Sequence, residues 1–139
     1  MSLERHTPLP RSTINPRRAT PRRREAPRWT PQDWQDANTV LMIRGNYRCD
    51  CCGVPLDGRV ERHHRQRRRD GGDRLCQILM LLPACHRYWT EHPEQARASG
   101  LIVSMNADPL AVPVLWHGKV WKLLDDSGGM TETHAPDLC

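Results

Sequence analysis

Apolar side chains along this chain follow different periods in different stretches, and each period predicts its own elements. Trp34, Ala37, Val40 and Leu41, with the aliphatic stem of Arg44, recur at helical spacing. They follow Thr30-Pro31-Gln32-Asp33, where Thr30 can cap, Pro31 suits a first helical turn and Asp33 reaches back toward the cap. A packing helix is therefore predicted to about Arg44, ended by Gly45, with Trp29 and Trp34 as core or cap residues. Tyr47 to Leu56 breaks the period with a cysteine-rich knuckle, and Asp57-Gly58 reads as a turn. A short strand is predicted around Arg59 to Arg65, followed by a glycine-rich loop from Arg67 to Asp73 and a buried apolar strand or turn at Ile78 to Leu82. Pro83 opens a helix through about Glu91, and Pro93 opens another that ends at Gly100. Leu101 to Ser104 reads as a short strand, and Val112 to Trp116 with Lys119 to Leu124 as a hairpin turned by His117-Gly118. Such a mixture of short helices and antiparallel strands belongs to the α+β class.

Composition narrows the ordered part. The chain has 139 residues, twelve prolines and no phenylalanine, so one thin core is expected and a metal or covalent staple would help it. The formal charge of +5 is unevenly spread: residues 1–30 carry eight arginines against two glutamates, which leaves the remainder close to neutral. Residues 1–28, rich in Arg, Pro, Thr and Ser, cannot bury enough surface to order themselves and are expected to form a disordered arm that binds phosphates. The main domain is then expected over 29–126, and 127–139 as a loose acidic tail in which Cys139 carries no functional signal. No apolar stretch near the start resembles a signal peptide, and the apolar run Ile78 to Leu82 is far too short for a bilayer. The expectation is an intracellular, cytoplasmic protein with no membrane partner.

The chemistry-bearing residues gather in three clusters between Cys49 and His92. Cys49-Asp50-Cys51-Cys52-Gly53 contains a Cys-x-x-Cys pair, which in a reducing compartment points to metal more than to a disulfide. Gly53 allows a tight turn that lets backbone amides face the sulfurs. His63-His64 at the end of a strand suits phosphodiester hydrolysis, because neighbouring strand side chains leave in different directions. One can hold a metal while the other takes the proton of a water near neutral pH. His86, beside Cys85 at the start of a helix, can complete the metal site from the opposite wall. The turn residue His117 is not counted among the ligands.

Cys49-x-x-Cys52-Gly53, Glu61-x-His63-His64-Arg65, Gly71-Gly72, Cys85-His86-Arg87 and His92-Pro93-Glu94-x-Ala96 together resemble the HNH endonucleases of the His-Me finger group, above all small phage-type members with a zinc knuckle. The resemblance spans about residues 38 to 124. It implies a ββα-metal core with a zinc knuckle, flanking helices and a C-terminal β-hairpin. It further implies His63 and His86 as ligands of one catalytic divalent ion, Mg2+, Mn2+ or another transition metal, with His64 as general base. Cys49, Cys52 and Cys85 would hold a structural Zn2+. The implied activity is metal-dependent hydrolysis of DNA, by nicking or double-strand cleavage, with Arg65, Arg67, Arg68, Arg69 and Arg74 on phosphates. The resemblance also implies a phage or mobile-element setting, in which such enzymes act in homing, in restriction or beside the packaging terminase.

Two positions depart from the pattern. Gln77 stands where the family usually has an asparagine, and would take its catalytic place. Leu82 stands where the fourth zinc ligand should fall, so that Cys51, Cys76 or a water closes the site, or zinc binding is weak or lost. These departures leave two other readings: a noncatalytic DNA-binding or packaging-accessory module whose site has decayed, and a zinc-knuckle protein that binds another protein.

Overall fold

The computed structural model describes residues 26–136, and the expected disordered arm lies outside the described residues except for its last three. The fold is a mixture of short helices and two small antiparallel sheets. Helix α1 (Pro31–Arg44) begins as the sequence predicts, with the Thr30 hydroxyl accepting from the Asp33 N–H at 3.1 Å and the Asp33 carboxylate accepting from the Thr30 N–H at 2.9 Å. Two orphan amides are satisfied at once, with Pro31 at a position that needs no donor.

Strand β1 (Glu61–His64) pairs antiparallel with β2 (Ile78–Leu81), Glu61 opposite Leu81 and His64 opposite Ile78. All four residues of β2 are buried, because the strand separates two apolar clusters. Ile78 and Met80 join Leu41 of α1, whereas Leu79 and Leu81 join Ala96, Leu101, Val114, Trp116 and Leu124. Alternate side chains of one strand thus serve both halves of the core, which is why the run is apolar without a break. Helices α3 (Pro83–Glu91) and α4 (Pro93–Ala98) follow, each opened by its proline, and α3 lies against β1.

Strands β3 (Val114–Trp116) and β4 (Val120–Leu124) form the expected hairpin, with His117 at φ 53° and Gly118 at φ 69° in its turn. The hairpin is extended by β5 (Met130–Thr133), which corrects the expectation of a loose segment from residue 127 onward. Its cause is local. The Asp125 carboxylate accepts from the N–H groups of Ser127 and Gly129, which turns the chain back so that Met130 faces Leu124.

Two further expectations change. The glycine-rich loop holds one helical turn, α2 (Arg68–Gly71), and a single 3-10 turn covers Leu75–Gln77. Leu101 to Ser104 is not a strand: the Leu101 and Ile102 amides donate to the Ala96 carbonyl and the Val103 amide to the Arg65 carbonyl. Those amides close the end of α4 and the exit of β1, so no ladder remains for them to join. Among the described residues no helix is long and apolar enough to cross a membrane.

Candidate active site and metal centre

The knuckle is built by short-range backbone bonds. The Cys49 N–H donates to Val54 O and the Gly53 N–H to Cys49 O, both at 2.8 Å, with Gly53 at φ 77°, a conformation that suits glycine. The turn brings Cys49, Cys51 and Cys52 together with Cys85 from the first turn of α3, and their four sulfurs lie within 4.8 Å of one another. Cys49 and Cys51 are 3.4 Å apart and Cys52 and Cys85 are 3.6 Å apart. The contact with Cys51 and the amides of Leu82, Cys52 and Cys51 hold the Cys49 thiol below its ordinary value against the effect of burial. Cys51 is driven the other way by the same contact and by burial, and burial pushes Cys85 up to about 12. Four converging sulfurs are the donor set of a structural metal such as zinc.

This completes the ligand set with one of the alternatives left open by the sequence. Cys51 is the fourth member, and Leu82 is not the place of a missing one: its side chain packs on the core and its N–H donates to Cys49 Sγ at 3.4 Å. Cys76 lies fully buried outside the cluster, and its N–H donates to Asp126.

A cleft of about 1020 Å3 runs beside β1, and His63, His64 and His86 all line it. Each imidazole has one nitrogen on an acceptor of the protein. His63 Nε2 lies 2.7 Å from Leu101 O, His86 Nδ1 lies 3.3 Å from Glu61 Oε2, and His64 Nε2 lies 2.9 Å from Asp73 Oδ1. The His63 and His86 rings are 5.2 Å apart at an angle of 70°. Burial pushes His63 down to about 4, so near neutral pH it is an uncharged imidazole with a lone pair to give. A histidine fixed through one nitrogen, with the other left for a metal, is the usual state of such ligands. His63 and His86 are each held in this way through one ring nitrogen.

The arginines divide into two groups. Arg65 is 1% exposed and donates to four carbonyls, those of Gly100, Cys76, Pro109 and Val112, at 2.6 to 3.2 Å. The expectation that it contacts phosphate is corrected: its four hydrogen bonds tie the end of β1 to the segments that carry those carbonyls. Arg68 forms a two-pronged pair with Asp73 at 2.9 and 2.8 Å, and Arg74 binds Asp126 at 3.1 and 2.6 Å. Arg67 and Arg69 are exposed and line the cleft. Arg97 of α4, which carries no sequence signal of its own, lines it as well.

Gln77 also changes role. It is fully buried, its Oε1 accepting from the Gln66 N–H and its Nε2 donating to Gln66 Oε1. Gln66 in turn donates to Ser104 O and Ala107 O at 2.8 Å. Gln77 is thus a brace behind the cleft wall and does not line the cleft. Asp73 is the residue that sequence reasoning misses; its only signal is an acidic group closing the glycine-rich loop nine positions after His64. No family model matches the chain, and no curated protein or solved structure matches it either.

Proposed function

We propose that this chain is a metal-dependent endonuclease of the HNH type, hydrolysing phosphodiester bonds in DNA. The observation that carries the reading is the convergence of His63, His64 and His86 on one cleft, each with a single ring nitrogen engaged by the protein. The succession of β1, β2 and α3 around them supports it, since that order is the one the His-Me finger resemblance implies. His63 and His86 would hold the divalent ion, which when bound would supply stabilisation of negative charge on the phosphate and on the leaving oxygen. His64 accepts the proton of the attacking water as the new oxygen–phosphorus bond forms and the bond to the leaving oxygen breaks. Arg67 and Arg69 meet flanking phosphates, which position the strand without reading its bases. The four cysteines hold zinc and fix the start of α3, which carries His86.

Nicking of supercoiled plasmid in Mg2+ or Mn2+, with and without chelator, tests the reading. His64→Ala is expected to lower the rate about 10^2- to 10^4-fold, the usual worth of a general base, with metal binding and thermal stability near wild type. His63→Ala is expected to weaken binding of the catalytic ion. Near-normal nicking by His64→Ala would overturn the assignment, and a chain with no chelator-sensitive nicking at all would favour a noncatalytic DNA-binding module.

A further inference from the structure

We propose that Asp73 is the positioning residue of His64: it takes the hydrogen on Nε2 and so reserves the Nδ1 lone pair for the attacking water. The inference rests on the endonuclease reading above and adds a residue, a tautomer and a named base atom to it.

The geometry around Asp73 is that of a fixed acceptor. Its side chain is fully buried at the end of the glycine-rich loop and meets four donors. Oδ1 accepts from His64 Nε2 at 2.9 Å and from Arg68 Nε at 2.9 Å. Oδ2 accepts from Arg68 Nη2 at 2.8 Å and from the Trp29 amide at 2.9 Å. The Asp73 amide donates to Pro27 O at 2.6 Å, so the residue is held from both its backbone and its carboxylate. Three separate segments, the entry to α1, α2 and the end of β1, therefore fix the plane of one carboxylate.

Chemistry then decides the tautomer. Burial disfavours the charged carboxylate, but the Arg68 fork, the Trp29 amide and His64 outweigh it and hold Asp73 ionised, down to about 2. An ionised carboxylate only accepts, so His64 Nε2 must be the donor. Neutral His64 then carries its hydrogen on Nε2, and its one lone pair is on Nδ1, which has no partner among the described residues. The Trp34 ring also packs against the imidazole, edge-on with centroids 6.1 Å away. A base whose proton-accepting atom is fixed in advance loses no orientation when the water arrives.

Asp73→Asn is the informative variant. Arg68 Nη2 and Trp29 both demand an oxygen, so the asparagine carbonyl takes their side and its amide NH2 group faces His64 Nε2, which must then accept. The experiment is 15N-histidine NMR of the full chain loaded with zinc, together with single-turnover nicking across DNA concentrations. The wild type is expected to show His64 with hydrogen on Nε2 and a bare Nδ1, and Asp73→Asn the reverse. The variant is expected to lose about 10^2- to 10^4-fold in kcat with little change in KM. Asp73→Glu, which still only accepts, is expected to keep the Nε2–H tautomer and to recover part of kcat. A wild-type His64 with hydrogen on Nδ1 would overturn the inference even if Asp73→Asn failed to fold. So would wild-type kcat in Asp73→Asn alongside an inactive His64→Ala, with the endonuclease reading left standing. An active His64→Ala would remove that reading itself.

Discussion

The guanidinium of Arg44 and the carboxylate of Asp50 meet 3.2 Å apart with both side chains almost wholly withdrawn from solvent. Arg44 ends α1 and Asp50 lies inside the knuckle, so the pair joins the packing helix to the metal centre. Arg44 also donates to Leu75 O at 2.8 Å and Ile78 O at 2.6 Å, and Asp50 accepts from the Met80 N–H at 2.8 Å. Burial pushes the Asp50 carboxyl up to about 7, with Arg44 acting to hold it down. Arg44→Met is therefore expected to cost about 3–5 kcal/mol, because it strands a buried carboxyl and two carbonyls. The double variant Arg44→Met/Asp50→Asn should cost less than the two single changes summed. Chemical denaturation of all four proteins reads the coupling, and strict additivity would show that the pair does not act as a unit.

The metal centre gives a second prediction. Cys51→Ser should lower zinc stoichiometry and the midpoint of chelator-induced unfolding, since it removes one of four converging sulfurs. Cys76→Ser should leave both unchanged, because Cys76 lies apart from the cluster. Leu82→Cys should give no gain in zinc affinity. A Cys51→Ser protein that keeps one tightly held zinc would mean that another group closes the site.

What the sequence made legible was local. The capping box at Thr30 and Asp33, the proline-opened helices at Pro83 and Pro93, and the His117-Gly118 turn each depend on a few adjacent residues, and all are present. What was hidden depends on contacts between distant segments. Whether Arg65 points outward or into the protein is decided by carbonyls up to 47 positions away, and its neighbours Arg67 and Arg69 look the same in a one-dimensional reading. Cys51 was ambiguous for the opposite reason: three cysteines crowd four positions, and only the fold of the turn decides which sulfurs face Cys85. Met130–Thr133 was missed because alternation in a polar edge strand leaves little hydrophobic signal.

Acid should probe Asp73. Its carboxyl stands at about 2 in the fold against 3.8 in the unfolded chain, so the unfolded state takes up the proton first as pH falls. The resulting stabilisation is fully present above about pH 4 and is lost as pH drops toward 2. A difference of nearly two units corresponds to about 2 kcal/mol. Asp73→Asn should therefore flatten the dependence of unfolding free energy on pH between 4 and 2. An identical acid limb in both proteins would show that Asp73 is not held in its charged form.

The two groups of arginines should separate under mutation. Arg65→Met leaves four carbonyls without their donor, and an unsatisfied buried polar group costs about 1–3 kcal/mol. Some of those carbonyls can turn to water, so the expected loss is about 3 kcal/mol or more, seen in denaturation with no DNA present. Arg67→Ala, Arg69→Ala and Arg97→Ala remove exposed side chains and should change stability by no more than about 0.5 kcal/mol. Their effect belongs to the cleft instead. Removing an arginine that neutralises one phosphate should lower DNA affinity and reduce the slope of log K against log salt by about 0.9. Arg97 is the sharpest case, since it approaches the cleft from α4 whereas Arg67 and Arg69 flank and form α2. If Arg97→Ala lowers the slope as Arg69→Ala does, the bound strand spans the cleft from α2 to α4. A slope equal to wild type in Arg97→Ala, with Arg67→Ala and Arg69→Ala both reduced, would confine the strand to the α2 side.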